Sequence, residues 1–128
     1  MKVDVAIGEI FDKLTILDIK LERIDDSYRL FHINHEKDIL RKALKDEGVT
    51  FNTKFYYELK DVNEKIWDTE DGFRVKEVKQ EFDEEFVSYA RLNAKYNDTR
   101  FLIKKRINEY YNSSVMEHKS YDKLYTAD

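Results

Sequence analysis

Asn93 and Arg100 stand where apolar residues belong. The pattern runs Phe86, Tyr89, Asn93, Tyr96, Arg100, Ile103, Ile107 and Tyr110 at intervals of three and four. That spacing marks one helix face turned toward a core. Asn97, Lys104 and Asn108 lie beside the seam and share the face of Arg100. A buried charge costs several kcal/mol unless it is paired, so these residues need partners. Two other segments offer them at helical spacing. One carries Asn63, Trp67, Glu70 or Asp71, and Arg74; the other carries Glu9, Lys13, Lys20 and Arg23. Three such ladders converging between helices would line an interhelical cavity, a common place for bundle ligand sites.

The chemistry of such a cavity is anion recognition. Arg74, Arg100, Lys104 and Lys20 would hold a phosphate or carboxylate, since guanidinium forks match that geometry. Asn97 and Asn108 would orient polar groups, and Asn63, Trp67 and Asp71 would complete the lining. Glu9, Glu70 and Asp98 are the candidate general bases, as carboxylates within reach of such a cleft. The opposing reading makes the ladders a structural network. Arg74 or Arg100 would then pair with Glu70 or Asp71 and lock helix register. Neither reading names a reaction or a cofactor. Trp67, the one tryptophan, is expected in the core with its indole N–H bonded.

Other signals are weaker. His32, His35 and Glu36 have a spacing that could place two imidazoles on one metal, but no third ligand is evident, and a solvated helix face is the plainer reading. No metal site is assigned. Glu58 with Asp61, and Glu81 with Glu84 and Glu85, form acidic pairs like those that hold Mg²⁺ in all-α nucleotide pyrophosphohydrolases. Their order does not match that pattern, and the chain has 27 acidic residues. Asn112-Ser113-Ser114 fits a glycosylation acceptor. The absence of cysteine excludes disulfides and thiolate chemistry.

The elements that must position these residues are helices. The 128 residues suit one domain. Charged residues make up 39% and aromatics 14%, a balance of long amphipathic helices rather than of disorder. With no proline and three glycines the chain has few turns. Ile7, Ile10, Leu14, Leu17, Leu21 and Ile24 trace a first helix, with Asp4 as its cap and Asp25-Asp26-Ser27 as its break. Residues 2–6 alternate as a short strand would. A second helix is expected from Ser27 to about Asp46, with Gly48 as a left-handed cap. A third starts near Thr53 and carries Phe55, Leu59, Val62, Ile66 and Phe73. Gly72 inside it costs about 1 kcal/mol relative to alanine, marking a kink or a close approach. Asp83 caps the fourth helix, Glu84 and Glu85 suit its dipole, and Phe82 and Val87 occupy staple positions. The tail from Asn112 reads as irregular. The expected fold is all-α, an antiparallel bundle of about four helices with a long hairpin of the third and fourth.

Across these residues a resemblance emerges. Gly8-Glu9, Asp12-Lys13, Thr15-Ile16-Leu17, Ile19-Lys20 and Glu22-Arg23-Ile24 resemble the opening of a small family known only as a domain of unknown function. The likeness resumes at Asn63, Ile66-Trp67, Glu70-Asp71 and Arg74. It continues through Tyr96, Asn97-Asp98, Arg100, Lys104 and Ile107-Asn108, and ends at Glu117 and Lys119-Ser120-Tyr121. The resemblance implies a bacterial or phage protein, with a link to sugar or nucleotide-sugar metabolism or a phage auxiliary role. It implies no catalytic residues. Gly72 departs from it in a segment expected to be bulky, and the tail past Tyr121 is extra.

Three functions compete. The first is binding of an anionic small molecule, phosphorylated or carboxylated, sugar-related compounds among them, in the polar pocket. The second is a helical adaptor for a protein partner or a second copy of itself, with an aromatic patch at Tyr56, Tyr57, Tyr110 or Tyr111. The third is nucleic-acid binding, disfavoured by a net charge of −4. No long apolar run suggests a membrane span, and the expected location is the cytoplasm.

Overall fold

The computed structural model describes residues 1–119. It contains α1 (Ile7–Arg23), α2 (Ser27–Asp46), α3 (Thr53–Lys79) and α4 (Glu84–Tyr110), with no strand among the described residues. Residues 2–6, which alternate as a short strand would, carry no regular secondary structure.

Local side chains set most of the boundaries. Asp26 accepts from the Arg29 amide at 3.0 Å and starts α2; Asn52 accepts from Phe55 at 3.2 Å and starts α3; Asp83 accepts from Phe86 at 3.0 Å and starts α4. Each satisfies an amide that the first turn leaves without a partner. Gly48, at φ +70°, closes α2 in the left-handed region. The cap expected at Asp4 is not made. Ala6 holds the cap position with no side-chain bond. The amides of α1 are instead met from the far end of the chain, as described below. Phe82 and Val87 do not form a tight staple either: both remain more than half exposed, and the Phe82 ring turns edge-on to Phe86 at 5.2 Å.

α1 is the hub. Its backbone lies against α2, α3 and α4, whereas α2 lies against α1 alone. α4 runs antiparallel to both α1 and α3, as the pairings Asp12 with Arg100, Glu9 with Lys104, and Glu58 with Arg106 require. The apolar core gathers Phe11 and Leu14 of α1, Leu44 of α2, Leu59, Val62 and Ile66 of α3, and Ile103 and Ile107 of α4. Burying such side chains is the main drive for folding.

The hairpin continues past this core. Arg23, the last residue of α1, reaches Asp68 at 2.6 Å, and α3 then runs on to Lys79, about 16 Å further at 1.5 Å per residue. Within this arm, from Glu70 to Tyr89, no residue is fully buried. Phe73, Phe86 and Tyr89 pack on one another inside it. Lys76 ties its turn by bridging Asp83 at 2.8 Å, Glu81 at 3.2 Å and Glu85 at 3.3 Å. Gly72 marks a close approach: a Cβ there would fall 2.5 Å from the Tyr89 ring.

A second close approach lies at the start of α1. A Cβ on Gly8 would meet the Lys104 carbonyl oxygen at 2.8 Å and Asn108 Oδ1 at 2.9 Å. A backbone carbonyl inside α4 cannot swing aside. Gly8→Ala is therefore expected to lose about 1–3 kcal/mol by overpacking, read as a lower urea midpoint at unchanged slope.

Candidate functional site at the seam of α1 and α4

The polar centre is organised by Asp12, whose side chain is 3% exposed. Gly8, Asp12, Thr15 and Ile19 are all buried and recur at helical spacing, a second stripe of α1 beside the apolar one. Arg100 grips the Asp12 carboxylate with two nitrogens: Nε donates to Oδ1 at 2.8 Å and a terminal amine to Oδ2. Asn63 of α3 donates to the same Oδ1 at 2.9 Å and to Thr15 Oγ1 at 2.8 Å. The Thr15 hydroxyl donates in turn to the Asp12 carbonyl at 2.7 Å. Every member is thus satisfied, the condition under which buried polar groups add rigidity instead of cost. The hydrogen bond that Arg100 donates to Asp12 holds the guanidinium above its usual range against the opposing effect of burial.

A second layer lies one turn along. Lys104, buried, places Nζ 2.5 Å from Glu9 and 3.3 Å from Glu117. Asn108 Oδ1 accepts the Gly8 amide at 2.7 Å, and Ser113 Oγ accepts the Ile7 amide at 3.2 Å. These two residues cap α1 in place of Asp4. Beyond α4 the chain turns back along it. Ser113 donates its amide to the Asn108 carbonyl at 2.8 Å, and Lys119 lies over the Phe101 ring at 5.3 Å.

The ladders therefore meet only in part. Asn63, Arg100, Lys104 and Asn108 come together on α1. Arg74, Glu70 and Asp71 are exposed on the arm, so the expected pairing of Arg74 or Arg100 with Glu70 or Asp71 does not form; Arg100 takes Asp12, one helix away. Trp67 is half-buried with Arg23 over its ring at 5.6 Å. Lys20 is half-buried, and Lys13 pairs with Glu36 at 2.7 Å on the surface. Asn97 donates to the Asn93 carbonyl at 2.9 Å within α4. Asn93 Oδ1 is buried with no hydrogen-bond partner. The three candidate bases stand apart: Glu9 on Lys104, Glu70 on the arm, Asp98 buried on α4.

An open groove of about 720 Å³ follows the outer face of α4 from Phe82 to Lys95. A recess of about 210 Å³ lies between α3 and α4 beside Glu58, Tyr96 and Ile103. Neither is lined by Asn63, Arg100, Lys104 or Asn108. Among the described residues no group of three metal-ligating side chains assembles. Glu58 pairs with Arg106 and Asp61 with Lys65, each at 3.1 Å. Of the four tyrosines expected to share a patch, Tyr56 is buried and Tyr111 half-buried, while Tyr57 and Tyr110 are each 64% exposed.

Asp12, Thr15 and Glu117 carry the family resemblance but were not among the candidate site residues. Asp12 and Thr15 belong to the second stripe of α1, whose spacing was available. Glu117 comes from an irregular segment with no period to show where it lands.

The fold and its centre define an all-α bundle locked by a polar seam. The chain belongs to DUF6165, a family of unknown function whose model matches residues 1–127. The match extends past Tyr121, so the final residues are part of the family's length and not an extra tail. No curated protein and no solved structure matches the chain. No described helix is long and apolar enough to cross a membrane.

Removing one partner of a buried pair strands the other charge, at about 3–5 kcal/mol. Arg100→Met should lower stability by that amount. Asp12→Leu combined with Arg100→Met should recover most of the loss. A double-mutant cycle by urea denaturation reads the coupling.

Proposed function

We propose that the domain is a helical interaction module whose buried polar residues serve its own architecture. The observation that supports this reading most directly is internal neutralisation. Arg100 faces Asp12, and Lys104 faces Glu9 and Glu117, so each cation of the seam already holds a carboxylate of the same chain. Meanwhile large apolar side chains stand in solvent, among them Tyr28 and Phe31 on α2 and Val78 and Phe82 on the arm, at 73%, 69%, 84% and 57% exposure. Exposed apolar groups gathered on helix faces mark surfaces that partners cover.

One observation favours a second reading, an anion site. Glu117 lies 3.3 Å from Lys104 and 3.6 Å from Lys119, and its charge is felt by Arg100. Its carboxylate stands where the phosphate or carboxylate of a small ligand, a sugar phosphate for example, would be held if the strap of residues 113–119 moved away.

Thermal melts with millimolar inorganic phosphate and pyrophosphate separate the two. The module reading expects no change in melting temperature. A saturable rise of several degrees, lost in Lys104→Met, would replace it with the anion site, because a ligand that binds only the folded state must raise stability.

A further inference from the structure

The outer face of α2 carries a stripe that no function so far has used. Tyr28, His32, His35 and Ile39 are all exposed and follow one another at intervals of four, three and four. This is the spacing of a coiled-coil seam. The opposite face of α2, with Ile33, Leu40 and Leu44, is the one turned to α1. Tyr28 and Ile39 are 73% and 53% exposed, and His32 packs edge-on to Tyr28 at 4.6 Å and to Phe31 at 5.4 Å. Tyr28, Phe31 and His32 thus form an exposed aromatic cluster at the first end of the seam.

We propose that this face binds a second copy of the chain, the two α2 helices lying antiparallel about a two-fold axis between residues 33 and 34. Self-complementarity selects the occupant. In an antiparallel pair, a residue on the seam meets the one equally far on the other side of the axis. Tyr28 then meets Ile39 of the second copy, and His32 meets His35. Asp25, in the turn just before the helix, lies at the end of the seam that Lys42 of the second copy reaches. On one flank Arg29 falls beside Glu36. Tyr28 on Ile39 is an apolar pair, Lys42 near Asp25 and Arg29 beside Glu36 join opposite charges, and each contact occurs twice, as an isologous interface requires. A parallel pair would set Tyr28 on Tyr28 and Lys42 on Lys42, with like charges opposed. The partners that Lys42 and Glu36 now hold, Asp46 and Lys13, are exposed at 59% each, and exposed pairs contribute little, so both can be shared or exchanged. No other helix obstructs the approach, since α2 packs on α1 alone.

This inference rests on the module reading and names its partner, and it is tested separately from the phosphate melts. The full chain is expected to sediment as a monomer–dimer equilibrium. Ile39→Asp should weaken the dimer at least about tenfold, equal to about 1.4 kcal/mol. Lys42→Asp should weaken it as well, and adding Asp25→Lys should restore it. Orientation is read by cross-linking, because the chain has no cysteine of its own. Tyr28→Cys with Ile39→Cys should give a disulfide-linked dimer on oxidation. Within one helix the two positions lie about 16 Å apart, beyond the ~7 Å Cα limit of a disulfide. A parent chain that stays monomeric at high concentration overturns the proposal. So does a dimer that Ile39→Asp leaves intact, or one that links through Tyr28→Cys alone. A monomer with silent phosphate melts would leave the module reading standing, with a different protein on this face.

Discussion

The pairing of Asp12 with Arg100 is the constraint on which the rest of the structure depends. A carboxylate that is 3% exposed cannot remain charged without partners. Its requirements tie α1 to two other helices at once: Arg100 comes from α4 and Asn63 from α3, while Thr15 accepts a second bond from Asn63 and so fixes that amide. Apolar packing alone tolerates sliding by a turn, because one Ile or Leu can replace another. A bidentate guanidinium–carboxylate contact does not, since a slip of one turn would lose the two-point grip on a buried carboxylate.

The neighbouring features follow from that register. With Arg100 fixed on Asp12, Lys104 arrives at Glu9 and Asn108 at the first amides of α1. Glycine is required at position 8 because the α4 backbone lies against it. The segment after α4 then folds back so that Ser113 and Glu117 complete the same layer. The α3–α4 arm escapes this control. Beyond Arg23 nothing from α1 covers it, so it holds itself together with aromatic contacts and the Lys76 cluster. Likewise α2, attached to α1 alone, has a free outer face. The helices are cross-linked at the seam, while the outer face of α2 and the arm stay uncovered.

Much of the architecture was legible in the chain. The bounds of α2, the starts of α3 and α4 and the left-handed Gly48 follow from capping residues and periodicity, which are local properties. The seam of α4 was legible as well, because polar residues interrupting an apolar stripe announce a need for partners. Who those partners are was not legible. Arg74, Glu70 and Asp71 share the helical spacing of Asn63 and Trp67, but they lie past the end of α1, out of reach of Asp12 and Glu9. Asp4 looked like a cap because it precedes α1. The amides of that helix were taken by Asn108 and Ser113, which are distant in sequence and adjacent in space.

The sequence by itself thus determined the helices, their faces and the presence of a polar interior, because backbone hydrogen bonding and side-chain periodicity act within a few residues. Only the tertiary structure decided that Asp12 answers Arg100, that Glu117 returns to Lys104, and which amphipathic faces stay uncovered. Those outcomes depend on how far each helix extends relative to its neighbours, a relation between elements that no local pattern carries.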